Sequence, residues 1–398
     1  MRHTLRSLRH RNFRLFCAGQ LVSLSGTWMQ SLAQAWLLYR MTESGLWLGL
    51  AGAAALLPNL LFGLYGGVLA DRFSRQRLLI AAQALAMVQA FALAALTFSG
   101  HIAPWHILLL AFLLGLVQAF ELPARHSFVA QLVPRTDLSN AIALNSSLFH
   151  LARFLGPAIA GVLVAWLGEG WVFFVNGLTF IAVLVGLLAI RLPAEPDGAE
   201  AGGLHALREG LWYVWHHATI RAVIALVAAV SLVGSSAIVL MPVFAAKVFE
   251  RDAQSLGLLL GVIGLGAFAG ALTLARRKDL AGIERAIAAA GLVGGAALAL
   301  FATTKVFALA LLILPAVGFC ITTMLASSNT LIQLTVPDRL RGRVMALFSV
   351  ALHGMMPLGQ LAVGAAADHV GAPRAVAISG ALLFLAAGAF GFIISRRP

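Results

Sequence analysis

The strongest constraint on this chain is the spacing of its apolar runs. Stretches of roughly 20 residues, each long enough to cross the hydrocarbon of a bilayer, recur from one end to the other. In lipid the backbone must satisfy its own hydrogen bonds, so such stretches become helices. Reading the runs between Gly, Pro and charged punctuation predicts spans at 13–39, 45–70, 76–99, 105–122, 139–167 and 171–190. A second set is predicted at 219–246, 254–276, 284–303, 305–333, 342–368 and 373–394. With 61% hydrophobic and 11% charged residues in 398, no length is left for a separate soluble domain. The expected fold class is therefore all-α integral membrane, with twelve transmembrane helices in two six-helix halves.

The expected domains are an N-terminal bundle over 1–192, a linker over 193–218 and a C-terminal bundle over 219–398. The linker opens on Pro193-Ala194-Glu195-Pro196-Asp197-Gly198 and closes on an amphipathic turn. Leu204, Leu207, Leu211 and Val214 share one face of that turn, which predicts a cytoplasmic helix lying along the bilayer surface.

The net charge of +13 does not point to nucleic acid, because the basic residues sit in short connectors rather than on one face with interleaved aromatics. Of the 28 Lys and Arg residues, Arg40, Lys247, Arg251, Lys305 and Arg374 fall in connectors on one side and Arg153 falls inside a span. All the others lie on the side of the termini. The positive-inside rule then places both termini in the cytoplasm, in a multi-pass protein of the cell's inner (plasma) membrane. Trp36, Trp47, Trp105, Trp166 and Trp171 gather at the opposite interface. The Arg-rich start and Ala33-Gln34-Ala35 resemble a cleavable signal, but the run is too long and too rich in Gln, so the first span is expected to be retained. Cys17 and Cys320 both lie within spans and offer neither a disulfide framework nor a metal-ligand spacing.

Sliding the chain against itself by 203 residues superposes Gly63 on Gly266, Gly67 on Gly270, Gly115 on Gly318 and Pro134 on Pro337. In the same register His150 meets His353, Gly156 meets Gly359, Gly161 meets Gly364 and Gly177 meets Gly380. One register held through five helices implies two homologous halves. Two parallel six-span halves resemble the major facilitator superfamily, and the resemblance implies a substrate site between the halves near the midplane.

The connector after span two, from Gly67 through Asp71, Arg72 and Arg75 to Arg77, resembles the signature loop of that superfamily, with Ser74 and Gln76 at positions where Gly and a basic residue are usual. The resemblance implies a latch on the cytoplasmic gate. Glu121 and Arg125 close span four on the same face, which places Glu121 within expected reach of Arg72 or Arg75 as a charge relay. Gly156, Pro157 and Gly161 in span five resemble the exporter motif of the drug:proton antiporters, with Ala152 and Ala160 in place of two of its glycines. A Gly-Pro pair bends a helix and admits a close neighbour, so packing alone is the competing reading. The stretch from Glu121 to Pro157, with Arg208-Glu209-Gly210 and Arg341-Gly342-Arg343, resembles the subgroup that includes macrolide and enterobactin exporters.

Buried polar residues concentrate in spans one, four, five, seven, ten and eleven, whereas spans three, six, nine and twelve are almost wholly apolar. Gln30, Gln34, Gln118, Asn145, His150, Arg153, Asn329 and His353 are the candidate lining of a substrate or proton path. Arg153 is the charge deepest in the membrane, able either to bind an anionic or carbonyl-rich group or to hold backbone carbonyls. His150 and His353 titrate in a useful range, against the commoner role of packed histidines.

No phosphate-binding Gly-x-x-x-x-Gly-Lys-Ser/Thr loop, nucleophile elbow or metal cluster is present, so no cofactor is expected and the proton gradient is the expected energy source. The function expected is proton-coupled efflux of small organic molecules (drug, macrolide or siderophore-like) by a functional monomer working by alternating access. An importer or a lipid or metabolite transporter on the same fold is the alternative, and a membrane sensor or enzyme the remote one.

Overall fold

In the computed structural model, residues 6–191, 204–276 and 282–395 are described; within them the side chains of 64, 66–71, 204–208, 210, 275 and 276 are not. The long helices are α1 (Arg11–Thr42), α2 (Gly45–Arg72), α3 (Arg75–Phe98), α4 (Pro104–Gln131), α5 (Leu138–Leu167) and α6 (Glu169–Ala189). A short α7 (Leu204–His216) precedes α8 (Ala218–Val248), α9 (Ala253–Arg276), α10 (Ile283–Thr303), α11 (Phe307–Thr335), α12 (Asp338–Val370) and α13 (Ala372–Ser395). Among the described residues no strand occurs.

Eleven of these helices are long and apolar enough to cross a membrane. The exceptions are the short α7 and α1, whose composition is diluted by Gln20, Ser23, Ser25, Thr27, Gln30, Ser31 and Gln34. Of these, Ser23 and Gln30 have hydrogen-bond partners on neighbouring helices. Span four runs beyond its expected end at 122, continuing through Pro123 to Gln131. A membrane helix accommodates an internal proline because neighbouring groups satisfy the freed carbonyl. The extension puts Arg125 one helical turn from Glu121 instead of in a loop. Two helices contain wide turns: α8 at Val230–Ser235 and Phe244–Val248, and α12 at Val350–Gly354 around His353. Inserted residues of this kind concentrate at functional sites.

The chain forms two compact units. Unit 1 comprises Met1–Thr42, Ala54–Glu200 and Asp252–Gly261, and unit 2 comprises Glu43–Ala53, Ala201–Arg251 and Val262–Pro398. The start of α2 thus packs with unit 2 and the start of α9 with unit 1. Within unit 1, α1 packs on α5 and α6, and α3 on α4 and α6. Within unit 2, α8 packs on α12 and α13, and α10 on α11 and α13, which is the same pattern one half-chain later. The glycine register explains part of it. A Cβ on Gly161 would lie 2.8 Å from the Ala253 carbonyl oxygen and 3.0 Å from Gly257 Cα, and one on its mate Gly364 would lie 2.5 Å from the Gly45 oxygen. Small residues let backbones touch where lipid supplies no hydrophobic drive.

In unit 2, Glu209 of α7 accepts from Arg343 and Arg339 of α12, the latter at 3.4 Å. Two distant motif segments are thereby held together. Of the apolar face expected on α7, Val214 is buried, Leu211 is exposed beside exposed Trp212 and Trp215, and the side chains of Leu204 and Leu207 lie outside the described residues.

Candidate functional site

Arg153 is half-buried on α5, and its guanidinium carbon lies 5.5 Å from the centre of the Trp28 ring on α1. Trp28 meets Phe149 edge-on at 5.9 Å, and Phe149 meets His150 edge-on at 5.7 Å. Gly156 makes this possible: a Cβ there would lie 2.6 Å from Trp28 Cβ and 2.8 Å from the Ser25 carbonyl oxygen. Gly156 and Arg153, three residues apart, share the helix face pressed against α1. Among the described residues no carboxylate pairs with Arg153. Contact with the ring face offsets part of the cost of a desolvated cation, on the order of 1–2 kcal/mol. Close by in sequence, the buried His150 Nδ1 has no protein partner, and neither does the Gln34 Nε2 on α1. The site is thus a cationic fork on an aromatic floor, with unspent polar groups on the same two helices.

The other candidates divide into engaged and open positions. Gln30 is fully buried and uses both ends of its amide: it accepts from Asn176 Nδ2 of α6 at 2.8 Å and donates to Gln89 Oε1 of α3 at 2.9 Å. Gln89 donates in turn to the Leu110 carbonyl, and Thr179 donates to Asn176 Oδ1. A satisfied buried network of this kind rigidifies a core. Gln30 is therefore interhelical glue, and α3 and α6, which read as almost apolar, contribute the polar partners that join them to α1.

A second network runs from Ser23 Oγ to Gln83 Oε1 at 3.3 Å, and from Gln83 Nε2 to Glu121 Oε1 at 3.0 Å. Arg125 completes it, 3.5 Å from the Glu121 carboxylate. Glu121 thus turns into unit 1, with its charge met one helical turn away, rather than toward the exposed Arg72. Arg75 is half-buried. Gln76, two residues after Ser74 in the same connector, donates to the Leu187 and Ile190 carbonyls at 2.6 and 2.9 Å and so closes the end of α6. The side chain of Asp71, and the surroundings of Gly67, lie outside the described residues.

Gln118 is exposed and Asn145 half-buried. In unit 2, Asn329 accepts from Gln333 one turn on, and His353 Nδ1 lies 3.2 Å from the Ser349 carbonyl oxygen. Pro157 and Gly161 form the α5 surface against α9, with the Pro157 carbonyl 2.6 Å from where a Gly257 Cβ would stand. Among the described residues no three His, Cys, Asp or Glu side chains converge as a metal site would need. Trp28 and Asn176 escaped the sequence reading; for Trp28 the available signal was an aromatic placed well inside a span rather than at the interface.

Comparison with known proteins agrees with this architecture. The family described as "Transmembrane secretion effector", within the major facilitator superfamily, matches residues 3–396. The staphyloferrin A transporter of Staphylococcus aureus is 24% identical over 368 residues, covering 92% of each chain. The multidrug efflux pump Tap of Mycolicibacterium fortuitum is 25% identical, covering 90% of this chain and 89% of its own. Macrolide efflux protein A of Streptococcus pyogenes is 25% identical over 192 residues, 48% of this chain and 47% of its own. Among solved structures, a bacterial homologue of the human lysosomal transporter Spinster superposes with a TM-score of 0.75 at 17% identity, covering 96% of this chain and 97% of its own. The nucleoside transporter NupG gives 0.71 at 15%, covering the whole of both chains. With its apolar helices, doubled six-helix pattern and end-to-end family match, this chain belongs to the transmembrane secretion effector family of major facilitator transporters.

Proposed function

We propose that this transporter exports small organic molecules in exchange for protons by alternating access, as a monomer with both termini in the cytoplasm. The observation that carries the reading is Arg153: a membrane-embedded cation with no acid partner among the described residues, laid on Trp28 and reached from α1 and α5. A planar fork on an aromatic surface suits a carboxylate or carbonyl-rich group attached to a flat or apolar body. The relatives named as efflux pumps support outward direction, and the basic connectors on the terminal side support the orientation. Gln34 and His150, with buried polar atoms unspent on the protein, extend the path on the first unit; His353 in its wide turn is its counterpart on the second.

The test is transport in proteoliposomes. An imposed pH gradient drives accumulation of a labelled macrolide, siderophore or organic acid from a panel, and the protonophore-treated control does not accumulate it. Substrate movement that ignores the pH gradient while following sodium or substrate exchange alone overturns proton coupling.

A further inference from the structure

The start of α2 carries backbone donors with no acceptor inside the helix. In unit 2 a carboxylate from another helix meets them. Asp368 of α12 accepts from Gly45 N at 2.6 Å on Oδ1, and on Oδ2 from Ser44 Oγ at 2.5 Å and Leu46 N at 3.2 Å. Asp368 lies one turn beyond Gly364, whose missing side chain lets the α2 backbone come close enough for these bonds.

The sister crossing in unit 1 shows that this arrangement is not required for capping. There Gly161 of α5 makes the same close approach to α9, but its neighbour in the repeat register, at the position of Asp368, is Ala165. The start of α9 is capped locally instead, with Asp252 Oδ1 accepting from Ser255 N at 3.0 Å. The first crossing is a close approach of small residues, with no acid at the position of Asp368. The other adds an exposed acid that spans two helices.

All three groups aimed at Asp368 serve it as donors, and two oxygens receive them. A proton on the carboxylate would remove the charge that strengthens all three bonds. The other charged or titratable groups at this end of unit 2 are Glu43 and Lys247, which pair with each other at 3.8 Å, and Glu250, Arg251, Lys305, His369 and Arg374. Among the described residues none of them forms an ion pair with Asp368.

We propose that Asp368 is the positioning residue through which outside protons act on the transporter: ionised, it latches the start of α2 to α12, and protonated, it lets that end go. Because the negative charge strengthens all three bonds, its loss on protonation weakens the latch. The proposal rests on the orientation and proton coupling put forward above, and its test requires neither gradient nor substrate.

Spin labels are attached to cysteines replacing exposed Leu46 and Val370, in a background where Cys17 and Cys320 are Ala, and the pair distance is read by electron spin resonance in nanodiscs. The expected result is a short distance in alkaline medium that gives way to a longer one on acidification. Asp368→Asn gives the longer distance across the range, with the long-to-short ratio raised about ten- to a hundredfold at neutral pH. Asp368→Glu, which keeps the charge, restores the pH response. A wild-type distance constant across the range overturns the latch, as does an Asn variant that matches wild type. If the distance responds but no pH gradient drives transport, the latch stands and proton-coupled export falls; the reverse pattern removes the latch alone.

Discussion

At the residue scale, two polar positions on neighbouring helices have opposite roles because one is closed in an amide network and the other has no acid partner among the described residues. Asn176 sits in a closed chain of amides with Gln30 and Gln89. Asn176→Leu strands the Gln30 oxygen and should lower stability by about 1–3 kcal/mol, while substrate affinity of the folded fraction stays unchanged. Arg153 has a ring face and, among the described residues, no acid. Arg153→Lys keeps the charge but loses the planar fork over Trp28, so affinity should fall roughly tenfold with the melting temperature little moved. A melting curve and a binding isotherm on each variant separate the two roles. A large thermal loss with unchanged affinity in Arg153→Lys would make that residue a structural post. From sequence alone Gln30 and Arg153 read alike, as polar residues in spans; only the positions of their neighbours set them apart.

At the element scale, helix contacts depend on where side chains are missing. Gly161→Ala places a methyl 2.8 Å from a backbone oxygen of α9 that cannot move independently of its helix. The crossing should open slightly and the protein lose about 1–3 kcal/mol. Gly388 on α13 is the control, since a Cβ there would meet only Leu292 Cδ2 at an ordinary 3.8 Å. Gly388→Ala should be neutral or stabilise by up to about 1 kcal/mol, because alanine has less unfolded freedom to lose. Equal melting temperatures for the two variants would show that the Gly161 contact is looser than its geometry implies. The pairing of Gly161 with Gly364 was legible in the 203-residue register, but which helix each one meets was not, because a repeat shows equivalence and not partners.

At the scale of the whole molecule, the distribution of basic residues predicts which connectors face the cytoplasm. Single cysteines replacing Lys305, between α10 and α11, and Arg339, at the start of α12, should react from opposite sides of intact cells. A membrane-impermeant maleimide labels the first directly and the second only after permeabilisation. Labelling of Arg339→Cys in intact cells would invert the topology and move the Asp368 latch to the cytoplasmic side.

Apolar run length, charge asymmetry and the internal register determined by themselves that this chain is a doubled bundle of membrane helices, because the bilayer imposes those terms on any sequence that crosses it. The tertiary structure decided what each polar residue does. Glu121 turns to Gln83 and Arg125 because α4 passes through Pro123, Gln30 is consumed by partners on α3 and α6, and Asp368, outside every motif, is brought to the start of α2. Apart from the Glu121–Arg125 pair one turn apart, these assignments depend on groups 38 to more than 300 positions apart meeting across helix faces. Periodicity along one chain fixes the face of a helix but not the helix it will face.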